Sequence, residues 1–285
     1  MRSARGWCIA LAAVVYGGSP LVGQQAGAAA AHERTEYVAW LTGAPNSPLA
    51  AIAQQPIGPG MRLGPADSDV PLEGVDEHRV REQAGAVSLE GPGGRRLLPR
   101  GRPVTFGRYT LSVGGPTGRS VLTVFGASPG GKPPEHYPRD PRAVFVGPLA
   151  PPARSGTVRV LAVDGVEVEA AEAGSVAVPI GGTSVRLTVR RIPTAGGEES
   201  ELEIFFRDAT NGDGTYPAGR FVSLLPQGAG MYLLDFNRAR NPFCAYSSAY
   251  PCPAPWRGNT IAAPLRAGER YAGGGLAAPA GLEAR

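Results

Sequence analysis

Two polar loops in the last third of the chain hold the residues best suited to chemistry. "FFRDATNGDGTYPAGRF" brings Asp208, Asn211, Asp213, Thr215, Tyr216 and Arg220 into one stretch. "LLDFNRARNP" adds Asp235, Asn237, Arg238 and Asn241, and "WRGNTIAAPLRAGER" adds Asn259 and Glu269. Asp208 and Asp235 each follow an apolar run, which puts both near strand ends, where a rigid sheet can aim a side chain. If they meet across adjacent strands, Arg220 or Arg238 would lower one pKa while burial raises the other. With carboxyls roughly 5–9 Å apart and open to solvent, such a pair suits acid/base work on a glycan or an ester. The competing reading is structural: both aspartates accept backbone hydrogen bonds and pair with the arginines to hold the loops.

Other chemistries fit less well. "NGDG" resembles the middle of an EF-type calcium loop, but with Gly214 as the turn glycine the leading acid position is Ala209 and the twelfth is Arg220. A polar hairpin turn explains it better. Cys244 and Cys252 are spaced C-x7-C, and His32, His78 and His136 are all distant, so a zinc site would need distant folding. A disulfide between the two is the favoured reading, stabilising by roughly 2–3 kcal/mol. There is no G-x-S-x-G stretch, and Ser247 and Ser248 lack a nearby base. No metal and no cofactor are expected. Tyr216, Phe236, Phe243, Tyr246, Tyr250 and Trp256 suit core or loop packing, or else the wall of a small-ligand pocket.

These segments resemble the bacterial domain-of-unknown-function family numbered 1684. Its first hallmark, Phe-x-Asp-x-Thr-(Asn/Ser)-Gly-x-x-Thr-Tyr-x-x-Gly-Arg, matches at Phe206, Asp208, Thr210, Asn211, Gly212, Thr215, Tyr216, Gly219 and Arg220. Its second matches at Asp235, Phe236, Asn237, Ala239, Asn241, Pro242 and Cys244, followed by Cys252, Pro253, Asn259 and Ala267-Gly268-Glu269. The likeness is strong over Glu203 to Arg270 and weaker earlier, including "PPEHYPRDPRA". Arg240 stands where the family usually has Tyr, and Phe243 where Pro is common. The resemblance implies a fold and no established reaction.

The elements that must carry these loops read as strands. The 41 glycines and 29 prolines punctuate short Val/Leu/Ile/Phe runs, as in many-turned β proteins. The fold class is mainly β, in two β-rich halves of sandwich or barrel type, with few helices. The first half spans 61–127. Its "RLGPADSDVPLEG" resembles a forkhead-associated sandwich, but Pro65 follows Leu63-Gly64 where that family has an arginine, and no Ser-x-x-His follows, so phosphate binding is not expected. A Pro/Gly-rich boundary covers 128–142, and the second half spans 143–272. In it, runs at Val158–Val163, Val166–Glu169, Val176–Ile180 and Val185–Ile192 read as strands, with Asp164-Gly165 as a two-residue hairpin turn. Residues 31–60 form a helical or loop entry, with Ala31 to Ala53 as the helical stretch, Tyr37, Trp40 and Leu41 as an apolar face, and "APNSP" (Ala44 to Pro48) ending the helix. Residues 273–285 form a Gly/Ala-rich disordered tail.

Residues 1–30 read as a secretory signal: Arg2 and Arg5, a short apolar stretch from Trp7 to Tyr16, then small residues offering cleavage near Ala28 or Ala30. Cys8 would leave with it. An exported destination, periplasmic or extracellular, with no later membrane span, also suits a Cys244–Cys252 disulfide. The formal net charge of +4 falls to about +2 without Arg2 and Arg5, and no basic run suits nucleic acid. The leading expectation is a non-enzymatic protein that binds a small ligand or an envelope component. A carboxylate-dependent hydrolase at Asp208/Asp235 and a structural envelope component are the alternatives. The binding candidates are Asn211, Thr215, Tyr216, Arg220, Asn237, Arg238, Asn241, Asn259 and Glu269.

Overall fold

Short strands follow one another from Ala51 onward and build open, mostly antiparallel sheets, with period-two burial clearest over Glu167–Ile180. The computed structural model describes residues 20–130, 132–194 and 199–271. The expected signal segment falls largely outside these residues, and the expected disordered tail wholly so.

In the first half, β1 (Ala51–Pro56), β7 (Val104–Phe106), β8 (Tyr109–Gly114) and β9 (Val121–Phe125) form one sheet in the order β1-β9-β8-β7. A second sheet holds β2 (Met61–Gly64), β3 (Val70–Pro71), β4 (His78–Gln83), β5 (Ala86–Gly91) and β6 (Gly94–Leu98) in the order β3-β2-β4-β5-β6. Leu63, Val80 and Leu89 from one sheet share a core with Leu111, Leu122 and Val124 from the other, which makes this half a sandwich. β1 lies in the stretch read as a helical entry. Its pairing partner is β9, far along the chain, so short-range pattern did not reveal it.

The second half is a large open sheet in the order β10 (Val144–Pro148), β16 (Met231–Asp235), β15 (Arg220–Gly228), β14 (Ser200–Asp208), β13 (Thr183–Pro193), β12 (Glu167–Ile180), β11 (Thr157–Leu161). β17 (Thr260–Ile261) adds a parallel partner to β14. The sheets do not close into a barrel. Ile204, Phe206, Val222 and Leu224 point to one core, while Phe205, Phe221 and Trp256 point to the other face. The two runs expected at Val166–Glu169 and Val176–Ile180 are one strand, continuous through a bulge between Glu172 and Gly174. Gly174 is required there, because a Cβ would sit 2.1 Å from the Ala150 carbonyl oxygen. The expected two-residue turn is a longer loop in which Gly165, at φ +70°, is the residue with positive φ.

Helix α1 (Pro20–Gly43) is longer than expected at its start and ends before Ala51. Pro45 blocks its continuation, and Ser47 Oγ turns back onto the Leu41 carbonyl at 2.5 Å. The expected cleavage points, Ala28 and Ala30, lie inside this helix. Among the described residues no helix is long and apolar enough to cross a membrane.

Cys244 and Cys252 form a disulfide, with Cα atoms 5.4 Å apart. The closed loop packs on the first half: Cys244 and Tyr250 share a core with Ala50, Ala51 and Phe125, and Ser247 Oγ donates to the Ala51 carbonyl at 2.9 Å. The stretch read as a boundary, 128–142, is tied to the second half. Tyr137 N–H donates to the Gly268 carbonyl and Arg270 N–H to the Glu135 carbonyl.

Candidate functional site

Strand alternation explains the centre of the first polar loop. Phe206 pairs with Arg220 across β14 and β15, so Asp208, two residues on, projects from the same face as Arg220. Their side chains meet at 2.8 Å and both are fully buried. Arg220 also donates to the carbonyls of Leu265, Ala267 and Glu269. Asp208 Oδ1 accepts from Thr210 N–H (2.8 Å), Thr210 Oγ1 (2.5 Å) and Leu265 N–H (3.1 Å). Asn211 closes the loop by accepting from Asp208 N–H at 2.6 Å and donating to Thr215 and to the Tyr216 carbonyl. The Tyr216 hydroxyl rests 3.4 and 3.2 Å from the disulfide sulfurs. The side chains of Asp208, Thr210, Thr215 and Arg220 are buried and spent on holding the loop.

The second polar loop follows the same pattern. Asp235 caps a short 3-10 turn by accepting from Asn237 N–H (2.9 Å) and Asn237 Nδ2 (2.7 Å), and it is 1% exposed. Asn237 exchanges two hydrogen bonds with the Asp140 backbone, at 2.8 and 2.9 Å. Asn259 does the same with Thr188 at 2.8 and 2.9 Å, and reaches the Phe205 carbonyl. Asp208 and Asp235 share no hydrogen-bond partner, and neither faces solvent. The carboxylate-pair reading therefore finds no solvent-reachable pair at these positions. Arg238 turns away from both, pairing with Glu33 of α1.

A different surface is concave. Helix α1 lies across the second half and leaves a cleft of about 300 Å³ lined by Arg34, Tyr37, Trp40, His136, Arg238 and Arg240, with Glu33 and Glu36 on its rim. Tyr37 and Trp40 stack, with ring centroids 5.6 Å apart. The Arg240 guanidinium lies 5.4 Å from the Tyr37 ring centroid and 3.8 Å from buried Glu203. Behind this wall sits Glu269, fully buried, accepting from Asn241 N–H at 2.7 Å and from the Tyr246 hydroxyl at 2.5 Å. Its place depends on Gly268 at φ +76°, where a Cβ would meet the Ala239 carbonyl oxygen at 2.6 Å. Oε1 of Glu269 has no hydrogen-bond partner and lies 4.0 Å from His136 Nε2.

Burial sets the electrostatics of this cluster. It pushes Glu269 up to about 7, against the opposing hydrogen bonds from Asn241 and Tyr246. Burial likewise pushes Glu203 up to about 7, against Arg240. Burial and the Arg34 charge bring His136 down to about 4. Burial pushes the Tyr37 and Tyr246 phenols up, with Glu269 adding to each. Burial pulls Arg240 downward, but Tyr37, Glu203, Glu269 and Glu201 outweigh it, so the net shift is upward. His136 and Glu269 are within ion-pair reach, yet both shifts favour the neutral forms. The contact is neutral between about pH 4 and 7, because an approach of 4.0 Å without a hydrogen bond does not offset desolvating two charges.

Of the binding candidates named from sequence, Arg238 lines the cleft and Glu269 underlies it. Asn211, Thr215, Tyr216, Arg220, Asn237, Asn241 and Asn259 serve inside the loops. The residues missed as site residues were Arg34, Tyr37, Trp40 and His136. The signals were present: an aromatic pair on the entry helix, and a histidine inside "PPEHYPRDPRA".

Residues 134–270 match the family model described as "Protein of unknown function (DUF1684)". No curated protein matches the chain. The solution NMR structure of an uncharacterised protein from Haloarcula marismortui is similar at 30% identity, over 48% of this chain and 75% of that one, with a TM-score of 0.41. The matched segment contains both polar loops, His136, Arg240 and Glu269. Residues 134–270 thus belong to the DUF1684 family of proteins of unknown function.

Proposed function

We propose that this is a non-enzymatic binding protein that takes a small ligand in the cleft between α1 and the family segment. The observation that carries this reading is the cleft itself, lined by stacked Tyr37 and Trp40 together with Arg240 and His136. Largely apolar concave sites with a few convergent polar groups are the usual form of small-molecule sites. The buried state of Asp208 and Asp235 favours binding over the hydrolase reading. Export to the periplasm or the outside is part of the proposal. It rests on the charged and apolar start of the chain and is supported by the Cys244–Cys252 disulfide. Cleavage at Ala28 or Ala30 would leave Glu33 to Trp40, and so the cleft wall, in the mature chain.

The test is a small-molecule library screened by Trp40 fluorescence and thermal shift, with Trp40→Ala as control. Saturable ligands that lose affinity in the variant are expected. Turnover of nitrophenyl esters or glycosides, abolished by Asp208→Asn or Asp235→Asn in folded protein, would instead establish the hydrolase.

A further inference from the structure

We infer that the ligand class is a small aromatic carboxylate, its ring against Trp40 and Tyr37 and its carboxylate on Arg34. This rests on the cleft being a ligand site, and follows from which of its charges are already matched. Arg238 is paired with Glu33. Glu36 is paired with His32 at 3.3 Å. Arg240 is held by the Tyr37 ring and Glu203. Arg34 forms no salt bridge among the described residues, and its buried Nε has no hydrogen-bond partner. Its charge nevertheless reaches His136 across the cleft. Arg34 thus lines the cleft without an ionic partner among the described residues.

A guanidinium fork matches a planar carboxylate with two parallel hydrogen bonds. Single charge is favoured over double, because Glu33 and Glu36 also line the cleft and would repel a dianion. The aromatic preference comes from Tyr37 and Trp40, whose rings line the cleft with centroids 5.6 Å apart. A flat ring can meet their edges, whereas a saturated ring of equal size gains area without an aromatic contact.

The experiment is isothermal titration of the whole chain with 2-naphthoate, its neutral counterpart 2-naphthylmethanol, and dianionic 2-naphthyl phosphate. Naphthoate is expected to bind at least tenfold more tightly than either. Arg34→Gln should remove that advantage and leave the alcohol's affinity within about twofold, and Arg34→Lys should keep part of it. Both variants are checked for native circular dichroism. Equal binding of alcohol and carboxylate, or an Arg34→Gln variant that keeps the preference, overturns the inference and leaves a binding cleft standing. Tighter phosphate binding overturns it in favour of phosphate esters. No heat from any of the three also overturns it, and the library screen then decides the broader reading on its own.

Discussion

Replacing Glu269 by Gln should change how stability depends on pH. The amide oxygen keeps the acceptor that Asn241 N–H and the Tyr246 hydroxyl use, so the fold around it is retained. What is lost is a proton. In the folded chain the carboxyl titrates at about 7, against an ordinary value of 4.5. Between those values the folded state holds a proton that the unfolded state has released, so stability falls as pH rises. Below about 4.5 both states are protonated and the fall has not begun; above about 7 it is complete. A shift of that size corresponds to about 3 kcal/mol, at 1.36 kcal/mol per pKa unit. Glu203 contributes a fall of the same sign. His136, lowered to about 4 from 6.5, contributes the opposite: stability rises with pH across that window. Both remain in the variant, so the difference between variant and wild type isolates Glu269. Urea unfolding at pH 4.5, 6 and 8, with the disulfide intact, measures it. The variant should gain about 3 kcal/mol relative to wild type between pH 4.5 and 8. A difference that stays constant with pH would refute the claim that this carboxyl is buried as a neutral acid.

Three further outcomes follow from the same geometry. Asp208→Asn should destabilise by about 3–5 kcal/mol, seen as a lower urea midpoint, because Arg220 is left buried without its counter-ion. Replacing Cys244 and Cys252 together by Ser should cost about 2–3 kcal/mol on the loop-entropy model. It should also speed proteolysis between Phe243 and Pro253, measured by limited digestion, since the bonded loop packs against Ala50 and Ala51. Gly268→Ala should cost at least as much as a strained turn, about 1–3 kcal/mol in a thermal melt, since its φ is +76° and the Ala239 carbonyl oxygen blocks a side chain.

The strands were legible because alternation is local. "LTVFG" and "ELEIFFRD" carry period two on their face, and both are strands. The break read at "AEAG" was a bulge, since a strand can continue through an extra residue. The polar loops were legible as important, and the structural reading of their aspartates is the one that fits: Asp208 pairs with Arg220 and accepts backbone hydrogen bonds, while Asp235 accepts from the Asn237 backbone without an arginine. Asp, Asn, Thr and Arg tie loops with the same atoms they use to bind substrates, and sequence does not tell an inward carboxyl from an outward one. Asn259 illustrates this: its amide completes the backbone of Thr188 on β13, far off in the chain. The cleft was not legible because its walls come from Arg34 to Trp40, His136 and Arg238 to Arg240. Only docking of α1 onto the family segment brings these together, and its helical pattern does not name the surface it will meet.

Soaking crystals of the protein with a fragment set shows directly whether the cleft takes a ligand. Density is predicted between the Trp40 ring and Arg34, with no fragment at Asp208 or Asp235. Fragments ordered against Asp208 or Asp235, with the cleft empty, would contradict the account.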